Sequence, residues 1–474
     1  MGDHTGKTVV MTTLVLLAIF SVLLATQPVL SWQPGVDWAK TYVSNGSGTT
    51  LRLTSDGGYV IAGTAIVNGS NDVLLIKTDA QGTVQWSKTY GGTGSEFGMS
   101  LIVASDGGYA VVGISNGSDA LLMKTDASGT LLWTKTYGGT GTEKGYDVRQ
   151  ATDGGYVIAG ESDSGANAYV LLIKTDAGGA LQWSNTYGVQ GSSSTGYSVQ
   201  CSDDGGYVIT GDSVSNGSRT YVVKTDAGGA VQWDKAYAGA HSARTYSIVK
   251  DSDGYEIAGD VLDGGIHSAY LVKIDPSGKE LWNRTYYGSG NEWYAKSLTK
   301  ISDGFIMAGQ SHNITTGTDS LLLIRTSSDG TIQWSGVYGV LNSCMGFSAQ
   351  RATDGTYVAA GTAYNGSGFY ALLLKTNSAQ PPSTYNPPVT VINIYVPSDI
   401  TPTTAPWISP TPMPTMVPTP VPGTNTATPT ATAIAMPTAL PDSGNGSTVP
   451  IAVAILCISA AAAGAIYLLA FKKK

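Results

Sequence analysis

Seven near-copies of one unit of about 50 residues constrain the fold of this chain more than any other feature. The Asp of a recurring Asp-Gly turn lies at Asp56, Asp106, Asp153, Asp204, Asp253, Asp303 and Asp354. A closing Trp lies at Trp38, Trp86, Trp133, Trp183, Trp233, Trp282 and Trp334. Repetition at this spacing means that seven equivalent units must pack against one another.

Each copy holds four short runs rich in Val, Ile, Leu, Tyr and Thr, separated by Gly, Asp, Asn and Ser. This is the composition of strands and tight turns. In the second copy the runs cover residues 99–104, 110–115, 120–124 and 131–137. Four strands per unit are typical of a β-propeller blade, whereas a solenoid of this period would show helical periodicity in part of each unit. The predicted fold class is all-β, a seven-bladed β-propeller.

The two ends of the repeat array predict how the ring closes. A Trp strand at residues 37–42 precedes the first complete unit, and the last unit stops at Asn377 with no Trp strand after it. The N-terminal strand therefore supplies the missing fourth strand of the last blade and leaves no sheet edge open between first and last blades. The predicted blades are 46–90, 96–137, 143–187, 194–237, 243–286, 292–338, and 344–377 with 37–42.

The repeated words resemble those of secreted and surface-anchored β-propeller proteins of archaea and bacteria. Residues 86–92 read WSKTYGG, residues 153–160 read DGGYVIAG and residues 75–82 read LIKTDAQG. The resemblance implies a propeller outside the cell and implies little about activity. Weaker likenesses to quinoprotein repeats and to the Asp-box of sialidases differ in turn length, so no functional residue is transferred from either.

The segments flanking the repeats predict export and anchoring. Residues 1–31 combine Lys7 with an apolar run and are expected to be a signal peptide or a retained signal anchor. The propeller is assigned to 32–377, and residues 378–448 form a Pro/Thr-rich stalk. Residues 449–471 are long and apolar enough to cross a bilayer, and the lysines at 472–474 favour the cytoplasmic side. The expected location is the cell membrane, with the propeller extracellular.

The charge of the chain limits the classes of partner that it can bind, and the positions of its cysteines limit the disulfides that it can form. A net charge of −8 without a concentrated basic face argues against nucleic acid. Cys201 and Cys344 fall in different blades and Cys457 in the C-terminal apolar segment, so free structural thiols are expected. No cofactor and no metal is predicted, and the expected partners are the membrane and either an envelope polysaccharide or a surface protein.

The turns between the first two and the last two strands of a unit barely vary, which predicts one uniform face. Function is expected on the opposite face, where the loops differ from copy to copy. The predicted ligand patch contains His241, Arg244, His267, Glu292, Trp293 and His312. A second group, Glu96, Glu143 and Glu292, is predicted to lie at the channel mouth and to bind a cation or an amine.

Sequons for N-glycosylation are found at Asn45, Asn68, Asn116, Asn216, Asn283, Asn313, Asn365 and Asn445. Glycans are predicted on some of them, because the protein is expected to be exported. Asn-Gly-Ser is also a good turn without any glycan.

No catalytic motif is present in the sequence. The predicted function is therefore a non-enzymatic, membrane-anchored extracellular propeller for binding, adhesion or cell-envelope structure. The alternative is a surface polysaccharide hydrolase or lyase that uses two of the three glutamates, which would have to lie a few ångströms apart. A spacer that binds no ligand is the third reading.

Overall fold

The computed structural model describes residues 35–377 apart from residues 93, 140, 166, 189–190, 215–216 and 238–241. In this part of the chain 28 strands form seven four-stranded sheets. No helix among these residues is long and apolar enough to cross a membrane. The predicted signal segment, stalk, membrane helix and lysine tail lie outside the described residues.

Blades 1 to 4 are built from consecutive strands. Blade 1 contains β2 (Gly46–Leu53), β3 (Tyr59–Val67), β4 (Ser70–Thr78) and β5 (Val84–Tyr90). Blade 2 contains β6 (Glu96–Val103), β7 (Tyr109–Ser115), β8 (Asp119–Thr125) and β9 (Leu131–Tyr137). Blade 3 contains β10 (Thr142–Gln150), β11 (Tyr156–Asp163), β12 (Ala168–Thr175) and β13 (Leu181–Tyr187). Blade 4 contains β14 (Ser193–Cys201), β15 (Tyr207–Val214), β16 (Ser218–Thr225) and β17 (Val231–Tyr237).

Blades 5 and 6 repeat the pattern, and blade 7 is completed by the first strand of the chain. Blade 5 contains β18 (Ser242–Asp251), β19 (Gly254–Asp263), β20 (Ile266–Ile274) and β21 (Glu280–Tyr286). Blade 6 contains β22 (Asn291–Ile301), β23 (Gly304–Asn313), β24 (Asp319–Thr326) and β25 (Ile332–Tyr338). Blade 7 contains β26 (Ser343–Arg351), β27 (Tyr357–Tyr364), β28 (Phe369–Thr376) and β1 (Val36–Ser44). The seven predicted blades are confirmed.

In every blade an ion pair joins the Asp of the Asp-Gly turn to a Lys or Arg near the end of the third strand. In blade 1 the Asp56 carboxylate accepts a hydrogen bond from Gly58 N at 3.1 Å and forms an ion pair with Lys77 Nζ at 2.7 Å. Gly57 takes the positive φ of 78° that this turn requires. The corresponding pairs are Lys124–Asp106, Lys174–Asp153, Lys224–Asp204, Lys273–Asp253, Arg325–Asp303 and Lys375–Asp354. The turn aspartates are therefore structural.

The hydrophobic core is divided into seven clusters, one at each interface between neighbouring blades. Trp86 of blade 1 packs against Tyr109 of blade 2 with ring centres 6.0 Å apart, and Trp334 packs against Tyr357 at 5.2 Å. Each fully buried Leu, Ile or Val in these clusters contributes about 2 kcal/mol. The Trp residues of the repeats therefore pack between neighbouring blades.

The ring closes through the pairing of β1 with β28, as predicted. Asn377 N donates to Gly35 O at 2.9 Å, so the two ends of the propeller lie side by side. Tyr42 of the closing strand donates its hydroxyl to Gly82 O of blade 1 at 2.8 Å. Both ends lie on the face formed by the Asp-Gly turns, because β28 ends there and β1 begins there.

Candidate functional site

The innermost strands of the seven blades enclose a central cavity of about 500 Å³. Each of these strands contains a β-bulge, which leaves one residue out of the ladder. All seven bulge residues line the cavity: Thr49, Met99, Tyr146, Tyr197, Tyr246, Lys296 and Phe347. The rest of the lining comes from the part of each strand that follows the bulge, towards the Asp-Gly turns.

Three tyrosines and a lysine form an arc on the wall of this cavity. The rings of Tyr146, Tyr197 and Tyr246 follow one another with centres 5.5 Å apart at each step. Lys296 Nζ lies 3.9 Å from the centre of the Tyr246 ring. Burial lowers the pKa of Lys296 to about 8. The Lys296 amine therefore becomes protonated as the pH falls through about 8.

Asp147 is the acidic group of the cavity wall, and its oxygens are fully engaged. It accepts hydrogen bonds from Ser100 Oγ at 2.9 Å and Ser198 Oγ at 2.8 Å, and from the backbone N of Val199 at 3.1 Å. The Arg149 guanidinium lies 2.7 Å from it. Asp147 therefore joins blades 2, 3 and 4 and is not available to a ligand.

Arg52 carries a charge in the cavity that no ion pair among the described residues compensates. Its guanidinium donates to Leu51 O at 2.8 Å, and no carboxylate among the described residues lies within ion-pair distance of it. Burial, with the charge of Arg149 as a second cause and Asp147 opposing, lowers the pKa of Arg52 to about 10. The guanidinium stays charged at neutral pH and faces space that a ligand can occupy.

The cavity has a positive charge although the whole chain is acidic. Four cationic side chains and one acidic side chain line it: Arg52, Arg149, Lys296, Lys300 and Asp147. Lys300 is paired with Asp251 and Arg149 with Asp147. Arg52 and Lys296 are left to attract an anion.

A second polar cluster lies on the channel side of the bulges that faces the inter-blade loops. Lys144 Nζ lies 3.0 Å from Glu161 Oε1, and Thr195 Oγ1 donates to Glu161 Oε2 at 2.8 Å. Burial raises the pKa of Asp212 to about 7, with Arg244 opposing. These groups neutralise one another across blades 3, 4 and 5, which favours a structural role.

Three residues of the predicted ligand patch come together in this part of the channel. His267 Nδ1 lies 2.9 Å from Asp260 Oδ2, and its ring centre lies 4.7 Å from that of Tyr294. Glu292 accepts hydrogen bonds from the Tyr294 hydroxyl at 2.9 Å and from His267 N at 3.3 Å. Arg244 is paired with Asp260 in the ladder.

The other three residues of the patch differ in position. His312 Nδ1 lies 2.7 Å from Asp319 Oδ1, so its ring is held by a carboxylate of its own blade. His241 lies outside the described residues. Trp293 is 0% exposed and belongs to the core between blades 5 and 6. The prediction that Trp293 offers an aromatic surface to a ligand is therefore wrong.

The three glutamates do not occupy matching positions. Glu96 and Glu143 lie three residues before the bulge residue of their strands and pair with Ser115 and Ser162. Trp293 is at the equivalent place in blade 6, whereas Glu292 lies one residue earlier and pairs with His312. A shift of one residue in a strand turns the side chain to the other face of the sheet. Glu292 is therefore separated from the other two.

Glu96 and Glu143 do not line the channel cavity. Glu96 is 4% exposed and accepts from Gly92 N at 3.3 Å, and Glu143 is 2% exposed and accepts from Gly139 N at 3.0 Å. Burial raises the pKa of both carboxyl groups. Each glutamate lies beneath the loop that enters its own blade, so the predicted position at the channel mouth is wrong.

The described sequons differ in accessibility. Asn45, Asn68 and Asn116 are exposed and have positive φ. Asn313 and Asn365 are partly exposed, and their side-chain oxygens accept backbone N–H groups of their own turns. Asn283 is buried and donates to Glu280 Oε1 at 2.6 Å, so the folded protein cannot present it for glycosylation. Asn216 and Asn445 lie outside the described residues.

The cavity residues were missed because they do not form a motif in any single copy. Their common feature is a position one residue after the residue that pairs with a Gly of the second strand, as in Gly145-Tyr146 and Thr245-Tyr246. Alignment of the seven first strands on that residue, which is Gly in five blades, Thr245 in blade 5 and Ala295 in blade 6, places the bulge residues in one column. That column varies while its neighbours repeat, which is a signal for a functional position.

No protein-family model and no curated protein matches the chain in sequence. Solved structures match over most of the chain, among them the following two. A protein of unknown function from Dyadobacter fermentans DSM 18053 is 10% identical, with a TM-score of 0.42 over 72% of this chain and 98% of that one. Sqt1 from Chaetomium thermophilum is 11% identical, with a TM-score of 0.43 over 71% and 98%. Neither likeness carries an argument about function.

Proposed function

We propose that the chain is a non-enzymatic binding protein whose propeller holds a small organic anion in its central cavity. The observation that carries this proposal is the buried Arg52 guanidinium, which faces the cavity without a carboxylate partner. A buried cation without a counter-charge is costly, and an anionic ligand removes that cost. The aromatic arc on the wall of the same cavity favours a ligand with an apolar or aromatic part.

The size of the cavity supports the proposal that the ligand is a small molecule. A volume of about 500 Å³ lies within the usual range for ligand pockets of about 300–1,000 Å³. The anionic group would contact Arg52 and Lys296, and the Ser and Thr hydroxyls of the wall would accept or donate further hydrogen bonds. Carboxylates and phosphates suit a guanidinium best because it offers two parallel donors.

We further propose that the propeller works outside the cell, where the Pro/Thr-rich segment and the apolar C-terminal segment attach it to the membrane. The composition of residues 1–31, 378–448 and 449–471 supports this proposal. Asn377, from which the stalk continues, lies on the turn face, so that face would be directed to the membrane and the loop face away from it.

Titration calorimetry of the full-length protein with phosphate, citrate and benzoate tests the binding proposal. We expect one of these anions to bind, and we expect Arg52→Gln to weaken its binding about tenfold or more, since a charged hydrogen bond contributes about 1.5–3 kcal/mol. Arg219→Gln is the matched control, because Arg219 is exposed on the loop face. Equal affinities of Arg52→Gln and the wild type would reject the proposed site.

The pH dependence of binding provides a second readout. Because burial lowers the pKa of Lys296 to about 8, the cavity gains positive charge as the pH falls below about 8. Affinity for the anion should therefore be higher at pH 7 than at pH 9. This difference should disappear in Lys296→Met.

A further inference from the structure

Two buried carboxyl groups face each other at the interface between blades 1 and 2. Asp72 of β4 is 8% exposed and Glu96 of β6 is 4% exposed. Gly91 lies against both: a Cβ on Gly91 would collide with Asp72 Oδ1 and would lie 2.9 Å from Glu96 Oε2. The two acidic groups therefore share one small space beneath the loop between the blades.

A similar arrangement lies between blades 2 and 3, where Asp119 is partly exposed and its Oδ1 accepts a hydrogen bond from Ser118 Oγ at 3.1 Å. Asp119 of β8 and Glu143 of β10 occupy the equivalent positions in the strand ladders. A Cβ on Gly138 would collide with Asp119 Oδ1. Ser162 Oγ lies 3.2 Å from Glu143 Oε1, as Ser115 Oγ lies 3.4 Å from Glu96 Oε1. Each site thus combines two carboxylates with a serine hydroxyl.

The two acids are present together or absent together around the ring. At the other five interfaces neither position is acidic. The equivalent pairs there are Tyr169 with Ser194, Arg219 with Ala243, Ser268 with Trp293, Ser320 with Cys344 and Tyr370 with Gly46. Neighbouring like charges repel, so their joint occurrence points to a positive partner that needs both.

No protein cation supplies that charge within the described part of the chain. No Lys, Arg or His there lies within ion-pair distance of Asp72, Glu96, Asp119 or Glu143. Asp72 Oδ1 is buried and has no hydrogen-bond partner. The buried Asp72 and Glu96 carboxyl groups therefore share one space without a positive partner in this part of the chain.

We propose that each carboxylate pair, Asp72 with Glu96 and Asp119 with Glu143, binds one Ca²⁺ ion between adjacent blades. All donors are hard oxygens, namely carboxylates and the Ser115 or Ser162 hydroxyl, which is the ligand chemistry of Ca²⁺. His and Cys, which favour zinc or copper, are absent from both described sites. An ion at each position ties a third strand to the first strand of the next blade. None of these residues lines the channel cavity.

Equilibrium dialysis of the full-length protein with Ca²⁺ in the millimolar range counts the bound ions directly. Relative to the wild type, Asp72→Asn and Asp119→Asn should each lose one ion, and the double variant should lose two. Asp203→Asn is the control, because Asp203 is exposed and far from both loops in sequence, and it should lose none. Equal ion counts for the wild type and the double variant would overturn the proposal.

Thermal unfolding separates loss of the ion from loss of the fold. Asp→Asn keeps the shape of the side chain and removes the repulsion, so in EDTA the double variant should melt at or above the wild-type temperature. Ca²⁺ should raise the melting temperature of the wild type and leave that of the double variant unchanged. A wild-type melting temperature that is identical in Ca²⁺ and EDTA would also overturn the proposal, and would instead indicate a proton shared by each pair.

Discussion

The ammonium group of Lys296 lies on the channel wall between two tyrosines, 3.9 Å from the ring centre of Tyr246 and 5.3 Å from that of Tyr294. Burial lowers the pKa of Lys296 from 10.5 to about 8 in spite of these rings and of Asp260, whose charge acts in the opposite direction. A shift of this size corresponds to roughly 3 kcal/mol. The charged lysine therefore reduces the stability of the empty propeller, a cost that an anionic ligand would offset.

Lys296→Met should therefore stabilise the ligand-free protein by about 1–3 kcal/mol at pH 7. The folded pKa is below the unfolded one, so the destabilisation is complete below about pH 8 and disappears as the pH rises towards 10.5. Denaturant unfolding of both proteins at pH 7, 9 and 10.5 measures the difference. Lys279→Met, at an exposed position, should change little. A difference that does not shrink with rising pH would contradict the assignment.

Residue positions relative to a bulge were the part of the site that the sequence could not predict. Glu292 and Glu143 look equivalent when the strand starts are aligned, but they lie four and three residues before the bulge residues Lys296 and Tyr146, which places them on opposite faces. The same offset puts Trp293 in the core. A bulge depends on hydrogen bonds to the neighbouring strand, so the residues of one strand do not reveal it.

Strand boundaries, in contrast, were predictable because the turns between strands have recognisable Asp and Gly residues at fixed positions. Blade 3 was predicted at 143–187, and its strands run from Thr142 to Tyr187. Asp176 shows the reason: its Oδ1 accepts the N–H groups of Gly178 and Ala180 at 2.9 and 2.7 Å and so fixes the turn between β12 and β13. The ion pairs between the turn aspartates and the third-strand lysines could not be predicted, because the two residues are about 20 positions apart in the sequence.

At six of the seven interfaces the last Tyr of the Trp strand connects one blade to the next. Tyr137 is fully buried and donates its hydroxyl to Gly179 O, in the Asp-x-x-Gly turn of blade 3, at 2.7 Å. Tyr338 of β25 has no such turn to reach, because blade 7 is closed by two separate chain segments. Its hydroxyl is buried without a partner among the described residues, and its ring lies over Gly336.

These two tyrosines should respond differently to loss of the hydroxyl. Tyr137→Phe should destabilise the protein by about 1 kcal/mol, because it leaves the Gly179 carbonyl without its donor. Tyr338→Phe should be neutral or slightly stabilising, since it removes a buried polar group that lacks a partner. Urea unfolding of the two variants under one condition makes the comparison. Equal losses would mean that Tyr338 does find an acceptor.

The molecule as a whole is a closed ring in which one interface differs from the other six. At six interfaces a Tyr hydroxyl bonds to a continuous turn, and at the interface of blades 6 and 7 the turn is replaced by the two chain ends. Val36 pairs with Thr376 as Val84 pairs with Thr78. Three linking residues between Asn377 and Gly35 would therefore restore the standard Asp-x-x-Gly turn.

A circular permutant tests whether the ring has seven equivalent positions for its ends. We would join Asn377→Asp to Gly35 through Ala-Gln-Gly and open the chain in the turn that contains Gly82. The new turn offers a carbonyl acceptor to the Tyr338 hydroxyl once the Tyr338 ring rotates away from Gly336. Opening the chain in the turn of Gly82 removes the carbonyl to which Tyr42 donates at 2.8 Å. The permutant should unfold in one transition, as expected for a single closed ring. In it, Tyr338→Phe should cost about 1 kcal/mol and Tyr42→Phe almost nothing, the reverse of their order in the natural connectivity. If Tyr338→Phe stays neutral in the permutant, the missing turn is not what leaves this hydroxyl unpaired.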